Sequence, residues 1–124
     1  MLRLWGPVAV WAAVIFAVSS LSFGGGGPGV PDWITHGSSY ALLSVLVCRA
    51  LAGGFPLPLS WRGGILAILL STSYGISDEW HQSFVPNRSS DPADLAADAI
   101  GAAMGAALAT LILRRVGARA TIRA

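Results

Sequence analysis

The sequence predicts an all-α protein, a four-helix transmembrane bundle with both termini in the cytoplasm. Two observations lead to this fold class. Hydrophobic residues make up 54% of the 124-residue chain and charged residues only 11%, against about 25% charged in an average soluble domain. Apolar stretches of about 20 residues, enough to cross a hydrocarbon core of roughly 30 Å, alternate with short glycine- and proline-rich segments. The length fits a single domain, residues 1–124.

The individual helices follow from the apolar stretches and from the segments that interrupt them. Glycine and proline break the chain at 24–31 and 53–58, and a turn-rich loop at 86–92 forms the third connection. Asp32 stands where a helix N-cap is expected. The predicted helices cover about residues 4–23, 33–52, 61–80 and 94–113.

The distribution of charge predicts the orientation. All eight basic residues are arginine, and seven of them fall on the side that holds both termini. The other side carries Arg88 and all six acidic residues. Because cytoplasmic loops are enriched in positive charge, we expect a multi-pass integral protein of the plasma (inner) membrane with cytoplasmic termini. The arginines flank apolar runs rather than cluster on one surface, so nucleic-acid binding is not expected. Four tryptophans fall near the predicted interfaces: Trp5, Trp33, Trp61 and Trp80.

The most informative stretch is 77–98, which joins the last two predicted helices. It holds five of the six acidic residues, and a charged residue costs roughly 2.5–3.5 kcal/mol at the centre of a membrane helix. Such a cluster at a membrane boundary therefore indicates a polar site. Helical spacing brings side chains of three helices to one membrane level near the outer face. These side chains belong to Asp32, His36, Tyr40, Asp78, Glu79, Gln82, Asp94 and Asp98.

The fourth predicted helix carries a ladder of small residues. Gly101 and Gly105 form a G-x-x-x-G pattern, and Ala97 and Ala109 extend it. Such ladders allow close contact between helices in lipid. Asp98 shares the same stripe, so it is predicted to point inward rather than toward lipid. Whether this face also joins copies of the chain into an oligomer stays open.

The polar stretch resembles the signature of the VanZ-like membrane proteins. The resemblance rests on Ser77–Arg88, which is Ser-Asp-Glu-Trp-His-Gln-Ser-Phe-Val-Pro-Asn-Arg, and on Asp94–Gly101. Asp32 with His36 and Tyr40 is similar to the second-helix motif of that family. The resemblance covers nearly the whole chain, and its long motif between the third and fourth helices is specific.

The resemblance implies one VanZ-like transmembrane domain and an association with low-level resistance to the glycopeptide antibiotic teicoplanin. Two positions depart from the family pattern. Trp33 stands where a basic residue is usual, and Gly37 stands where an aromatic residue is usual. The polar positions that match the family are His36, Tyr40, Asp78, Glu79, Gln82, Arg88, Asp94 and Asp98.

The excess of acidic groups over Arg88 predicts a pocket that favours cations or retains protons. We expect a binding module for an envelope lipid, a cell-wall precursor or a glycopeptide antibiotic, with Arg88 pairing an anionic group. Membrane lipids are the expected partners. An anionic phosphate alone would be repelled by so many acids, so it would need a bridging divalent cation or largely protonated carboxyl groups.

Two alternatives stay open. One is a metal-dependent membrane enzyme acting on a lipid-linked or cell-wall substrate, in which Glu79 and His36 could also serve as acid and base. The other is a purely structural network, in which His36 bonds Asp98 and holds the helices in register. No strict metal spacing such as H-E-x-x-H occurs, so the sequence assigns no metal site, cofactor or catalytic residue. Suitable metal-ligand types are nevertheless present in His36, Asp78, Glu79 and Asp98.

Overall fold

The fold was obtained as a computed structural model, which describes residues 1–21, 30–54 and 58–122, with side chains up to residue 116. These ranges contain four α-helices and no strand, which confirms the all-α prediction. Residues 22 and 23 of the predicted first helix, and most of the two predicted glycine- and proline-rich breaks, lie outside the described residues. The helices are α1 (Leu2–Ser19), α2 (Asp32–Leu51), α3 (Trp61–Gln82) and α4 (Pro92–Ile122).

The start of α2 corrects the prediction for Asp32. Pro31 occupies the N-cap position in an extended conformation, and no side chain caps the helix there. Asp32 is therefore the first helical residue rather than the N-cap. A carboxylate in the first turn is still favourable, because it faces the positive end of the helix dipole.

The ends of α3 and α4 have local causes. Ser60 caps α3, since its side chain accepts a hydrogen bond from the Gly63 N–H at 3.2 Å. Pro92 opens α4, at a position where the missing N–H of proline costs nothing. α4 then continues to Ile122, well beyond the predicted end at residue 113. The two arginines at 114 and 115 lie within the helix, because arginine is a good helix former.

Three of the four helices in the described ranges are long and apolar enough to cross a membrane, by length and composition. They are Leu2–Ser19, Asp32–Leu51 and the Pro92–Val116 part of α4. α3 is 22 residues long, but its polar last turns lower its average hydropathy. Its outer side still exposes Leu69 and Ile76. These apolar helices indicate a membrane protein.

The closest helix pair in the bundle is α2 and α4. A Cβ atom added to Gly101 would overlap the backbone of Gly37, and one added to Gly105 would overlap the backbone of Ala41. The two backbones are therefore in direct contact along the small-residue ladder, as glycine allows. α3 packs against both of these helices, while α1 packs against α2 and α3.

Candidate functional site

Most of the buried polar residues among the described residues lie at one end of the bundle, where α1 and α3 end and where α2 and α4 begin. Polar groups at this depth need partners, because an unpaired buried polar group costs about 1–3 kcal/mol. Asp98 is fully buried even though it lies in the second turn of an apolar helix. The buried polar side chains at this end are Ser19, His36, Asp78, Glu79, Gln82 and Asp98.

Asp78 anchors a chain of hydrogen bonds across three parts of the fold. Ser19, the last residue of α1, donates through Oγ to Oδ1 of Asp78 at 2.6 Å. Gln82, one turn after Asp78 on α3, donates through Nε2 to Oδ2 at 2.9 Å. Arg88 then donates to Oε1 of Gln82 through Nη2 at 2.8 Å and Nε at 3.1 Å. Asp78 and Arg88 are thus joined through one fixed amide.

His36 bridges α2 to two carboxylates of α4. Its Nδ1 lies 3.0 Å from Oδ1 of Asp98, and its Nε2 lies 3.8 Å from Oδ2 of Asp94. Asp94 and Asp98 are one helical turn apart, so they present their carboxylates on the same face. The imidazole of His36 therefore lies between the carboxylate of Asp98, which is fully buried, and that of Asp94, which is partly exposed.

Tyr40 and Asp98 each leave one polar atom without a hydrogen-bond partner among the described residues. These atoms are the Tyr40 hydroxyl and Oδ2 of Asp98. Both residues crowd against Gly75 of α3, since a Cβ atom there would lie 3.0 Å from Oδ2 of Asp98 and 3.3 Å from the Tyr40 ring. Glycine at this position lets two polar side chains from α2 and α4 meet α3.

Glu79 ties the end of α3 to the loop before α4. Its Oε2 accepts a hydrogen bond from Ser90 Oγ at 3.1 Å and another from the Asp91 N–H at 3.0 Å. Its Oε1 is buried and has no partner in the part of the chain that the structure describes. Ligand-type atoms of Glu79, His36 and Asp98 all lie within 4.8 Å of one another.

A cavity of about 170 Å³ lies between α1, α2 and α3 beside these groups. Side chains of α1 supply an apolar wall, including Trp11, Ile15 and Val18. The rest of the lining consists of polar residue types, although the surface that they and α1 expose to the cavity is mostly apolar. These residues are Ser19 of α1, Thr35, His36, Ser39, Tyr40, Asp78, Gln82 and Arg88.

The order of these polar residues along the chain matches a known family. A sequence profile described as VanZ/LLP1 matches residues 31–113, well over half of the chain. The chain belongs to the VanZ/LLP1 family. This VanZ-family match spans α2, α3, the intervening loops and most of α4, so it contains every residue of the predicted site. No curated protein and no solved structure matches the chain.

The VanZ-family fold brings most of the predicted site residues together. His36 meets Asp94 and Asp98, while Glu79 lies beside the same histidine. Asp32 is exposed at the start of α2, and its part in the site stays a prediction. The other predicted residues lie next to this group. Asp78, Gln82 and Arg88 form the hydrogen-bonded chain, and Tyr40 is buried beside it.

The sequence-based prediction missed the contribution of α1. Ser19 bonds Asp78, and Trp11 lines the cavity and donates from Nε1 to the Ser39 carbonyl oxygen at 3.0 Å. The signal in the sequence was the pair of serines that ends an otherwise apolar run. Ser20 also lies 3.0 Å from Nε2 of the half-exposed His81 on α3.

Proposed function

We propose that this VanZ-family protein binds the polar head group of an envelope lipid or lipid-linked precursor in the cavity between α1, α2 and α3. The observation that carries the proposal is a mostly apolar cavity whose lining also includes a few polar and charged side chains. An amphiphile needs an apolar surface for its tail and a few placed polar groups for its head, and both surfaces meet here. Binding sites in general combine an apolar lining with a small number of oriented polar groups.

The polar residues that line the cavity include an acidic side chain, Asp78, and a basic side chain, Arg88, held at a fixed distance from each other. Asp78 and Arg88 are joined through Gln82, whose amide donates to the carboxylate and accepts from the guanidinium. Asp78 would attract an amine, while Arg88 would pair a phosphate through charge-assisted hydrogen bonds. This arrangement favours a zwitterionic head group over a purely anionic one, which the neighbouring carboxylates would repel.

The size of the cavity limits the ligand. Drug-sized ligands occupy pockets of roughly 300–1,000 Å³, whereas this cavity measures about 170 Å³. A head group of a lipid or a terminal portion of a precursor matches that volume. A whole glycopeptide antibiotic does not, so we place any link to teicoplanin resistance in the lipid or precursor that the protein holds.

The proposed location is the outer leaflet of the plasma (inner) membrane. Four spans would place both termini in the cytoplasm, with the cavity end of the bundle outside. The support is the arginine distribution, since Arg88 is the one arginine predicted on the cavity side. A head group of an outer-leaflet lipid would then reach Arg88 and Asp78 from the membrane itself.

Native mass spectrometry of the detergent-purified protein tests the proposal. The probes are phosphatidylethanolamine and phosphatidylglycerol of matched acyl chains, added separately. We expect stronger retention of phosphatidylethanolamine, and a loss of about tenfold in affinity with Arg88→Gln or Asp78→Asn, because truncating a charged hydrogen bond costs about 1.5–3 kcal/mol.

The matched control is Arg62→Gln, which removes an exposed arginine at the opposite end of the bundle. It should leave lipid retention unchanged. Equal retention of both lipids by the original protein and by the Arg88 variant would refute the proposal. Stoichiometric binding of teicoplanin that Arg88→Gln abolishes would favour the antibiotic as direct ligand instead.

One observation favours a second candidate function, a metal-dependent enzyme acting on a lipid-linked or cell-wall substrate. His36, Glu79 and Asp98 form a compact set of ligand-type atoms beside the cavity. This candidate requires a product from a lipid-linked substrate, and a chelator or Glu79→Gln should suppress that product. Retention of the lipid without any product, in the presence of divalent metal, would support the binding module and not the enzyme.

A further inference from the structure

The cluster of His36, Glu79 and Asp98 carries an inference that does not depend on lipid binding. The three side chains come from α2, α3 and α4, and each is buried, with exposures of 7%, 5% and 0%. Their ligand-type atoms all lie within 4.8 Å of one another. Buried carboxylates are stable in an apolar surrounding only if they are paired, protonated or bound to a metal.

The hydrogen bonds among the described residues do not provide a partner for every carboxylate oxygen of this cluster. Oδ2 of Asp98 and Oε1 of Glu79 are both buried and accept no hydrogen bond from the described residues. One imidazole cannot satisfy two buried carboxylates, because His36 already directs Nδ1 to Oδ1 of Asp98. Protons on the two carboxyl groups or a bound cation would satisfy these unpartnered oxygens, and a cation could be reached by all three side chains at once.

The three residues are close enough to reach one small ion after a modest side-chain movement. Protein nitrogen and oxygen ligands lie about 2.0–2.2 Å from a tetrahedral zinc ion, so two of them are about 3.3–3.6 Å apart. The ligand-type atoms of the cluster lie within 4.8 Å of one another, so side-chain rotation that moves the widest pair about 1 Å closer would reach that separation. Nδ1 of His36 and Oδ1 of Asp98 are already 3.0 Å apart.

We propose that His36, Glu79 and Asp98 bind a divalent transition-metal ion at the inner end of the polar site. One imidazole nitrogen and two carboxylates suit ions that accept both ligand types, such as Zn²⁺ or Mn²⁺. Three protein ligands leave coordination positions for water or for an oxygen of another molecule. The ion would offset the negative charge that otherwise disfavours an anionic group in the adjacent cavity.

Asp94 has a positioning role in this site. If Nδ1 of His36 binds the ion in place of its contact with Oδ1 of Asp98, then Nε2 carries the ring proton and faces Oδ2 of Asp94. The 3.8 Å between these two atoms would have to shorten to form a hydrogen bond. Ligating histidines commonly direct the second ring nitrogen to a carboxylate, which fixes the tautomer and raises the basicity of the ligand. Asp94→Asn should therefore weaken metal binding less than the loss of a ligand does.

Metal binding by the full-length protein in detergent tests the proposal. The protein is stripped with a chelator, then titrated with Mn²⁺ while electron paramagnetic resonance reports the free ion, with Zn²⁺ as competitor. We expect one ion per chain, displaced by Zn²⁺. Glu79→Gln and Asp98→Asn should each lower the affinity by about tenfold or more.

The matched control is Asp78→Asn, which makes the same chemical change at an equally buried carboxylate outside the cluster. It should lower metal affinity less than either cluster substitution does, because it neutralises a neighbouring buried carboxylate without removing a ligand, while it loses lipid. Glu79→Gln serves as the variant expected to stay folded, in case Asp98→Asn does not. No saturable binding of either ion, or binding that survives both cluster substitutions, would overturn the metal site and leave the proposed lipid binding unaffected.

Discussion

At the scale of single residues, Glu79 combines two separable tasks. One oxygen accepts hydrogen bonds from Ser90 and from the Asp91 backbone, and so holds the loop before α4. The other oxygen is buried without a partner among the described residues, and it is available to the proposed cation. A single carboxylate thus links the position of the loop to the charge of the cluster.

Substitutions of Glu79 should separate these tasks. Glu79→Gln can place its amide oxygen where Ser90 and Asp91 donate, so its stability should stay within about 1 kcal/mol of the original protein. Glu79→Ala removes the acceptor and leaves a half-buried backbone N–H unpaired, which costs about 1–3 kcal/mol. Thermal unfolding in detergent, followed by circular dichroism, measures both. Equal losses from the two substitutions would show that the loop is not held through this oxygen.

The buried Tyr40 and the half-buried Tyr74 make a second matched pair. The Tyr74 hydroxyl donates to the Ala12 carbonyl oxygen at 2.7 Å, whereas the Tyr40 hydroxyl has no partner among the described residues. Tyr74→Phe should therefore lower stability by about 1 kcal/mol, and Tyr40→Phe should leave it unchanged or raise it. The same thermal unfolding experiment compares them. A larger loss from Tyr40→Phe would reveal a bond that holds α2 to its neighbours.

At the scale of helices, the contact between α2 and α4 sets the geometry of the site. Gly101 and Gly105 meet the backbones of Gly37 and Ala41, so the two helices approach more closely than larger side chains would permit. That approach brings His36 of α2 within hydrogen-bond distance of α4. Without an efficient hydrophobic force between helices in lipid, close packing of this kind supplies the association energy.

Gly101→Ala should loosen this contact. The added methyl group would overlap the Gly37 backbone, which cannot rotate away as a side chain would. Overpacking of this type costs about 1–3 kcal/mol or more. Gly6→Ala is the control, because a Cβ atom there meets nothing within 4 Å and alanine favours a helix by roughly 0.8–1.0 kcal/mol over glycine. A Gly101 variant as stable as the Gly6 variant would contradict the packing.

The sequence pattern could predict the number of helices and the inward face of α4. Apolar length predicted four helices, and the shared stripe of Asp98, Gly101 and Gly105 predicted which side of α4 faces inward. Pairings between helices could not be predicted in the same way, because the periodicity of one helix does not say which neighbour it meets. The bond from Ser19 to Asp78 and the bonds from the loop to Glu79 depend on such pairings and were missed.

At the scale of the whole molecule, the fold separates two polar ends by an apolar middle. The cavity end carries the acidic groups, and exposed Trp33 and Trp80 lie near it. The other end carries exposed Trp61 stacked beneath Arg62, whose guanidinium lies 5.4 Å from the ring centre. Tryptophan is enriched at both membrane interfaces, so we expect these positions to lie at the two boundaries of the membrane.

The proposed orientation of the bundle rests on the arginine distribution and can be tested with cysteine labelling. The native Cys48 is fully buried, so it should give little background with a membrane-impermeant maleimide. Ser89→Cys places a thiol on an exposed loop position at the cavity end, and a cysteine appended after the last residue marks the opposite side. In intact cells, whose outer membrane is first permeabilised if they have one, we expect labelling of the loop cysteine alone.

After the plasma membrane is disrupted, the appended cysteine should become labelled to the same extent. The Ser89 variant should show no further gain, because its thiol was already accessible. The reverse pattern would place the cavity in the cytoplasm, where outer-leaflet lipids and extracellular antibiotic do not reach it. Lipid binding would then have to involve the inner leaflet, while the cation site, which depends only on the contacts between α2, α3 and α4, would keep its geometry in either orientation.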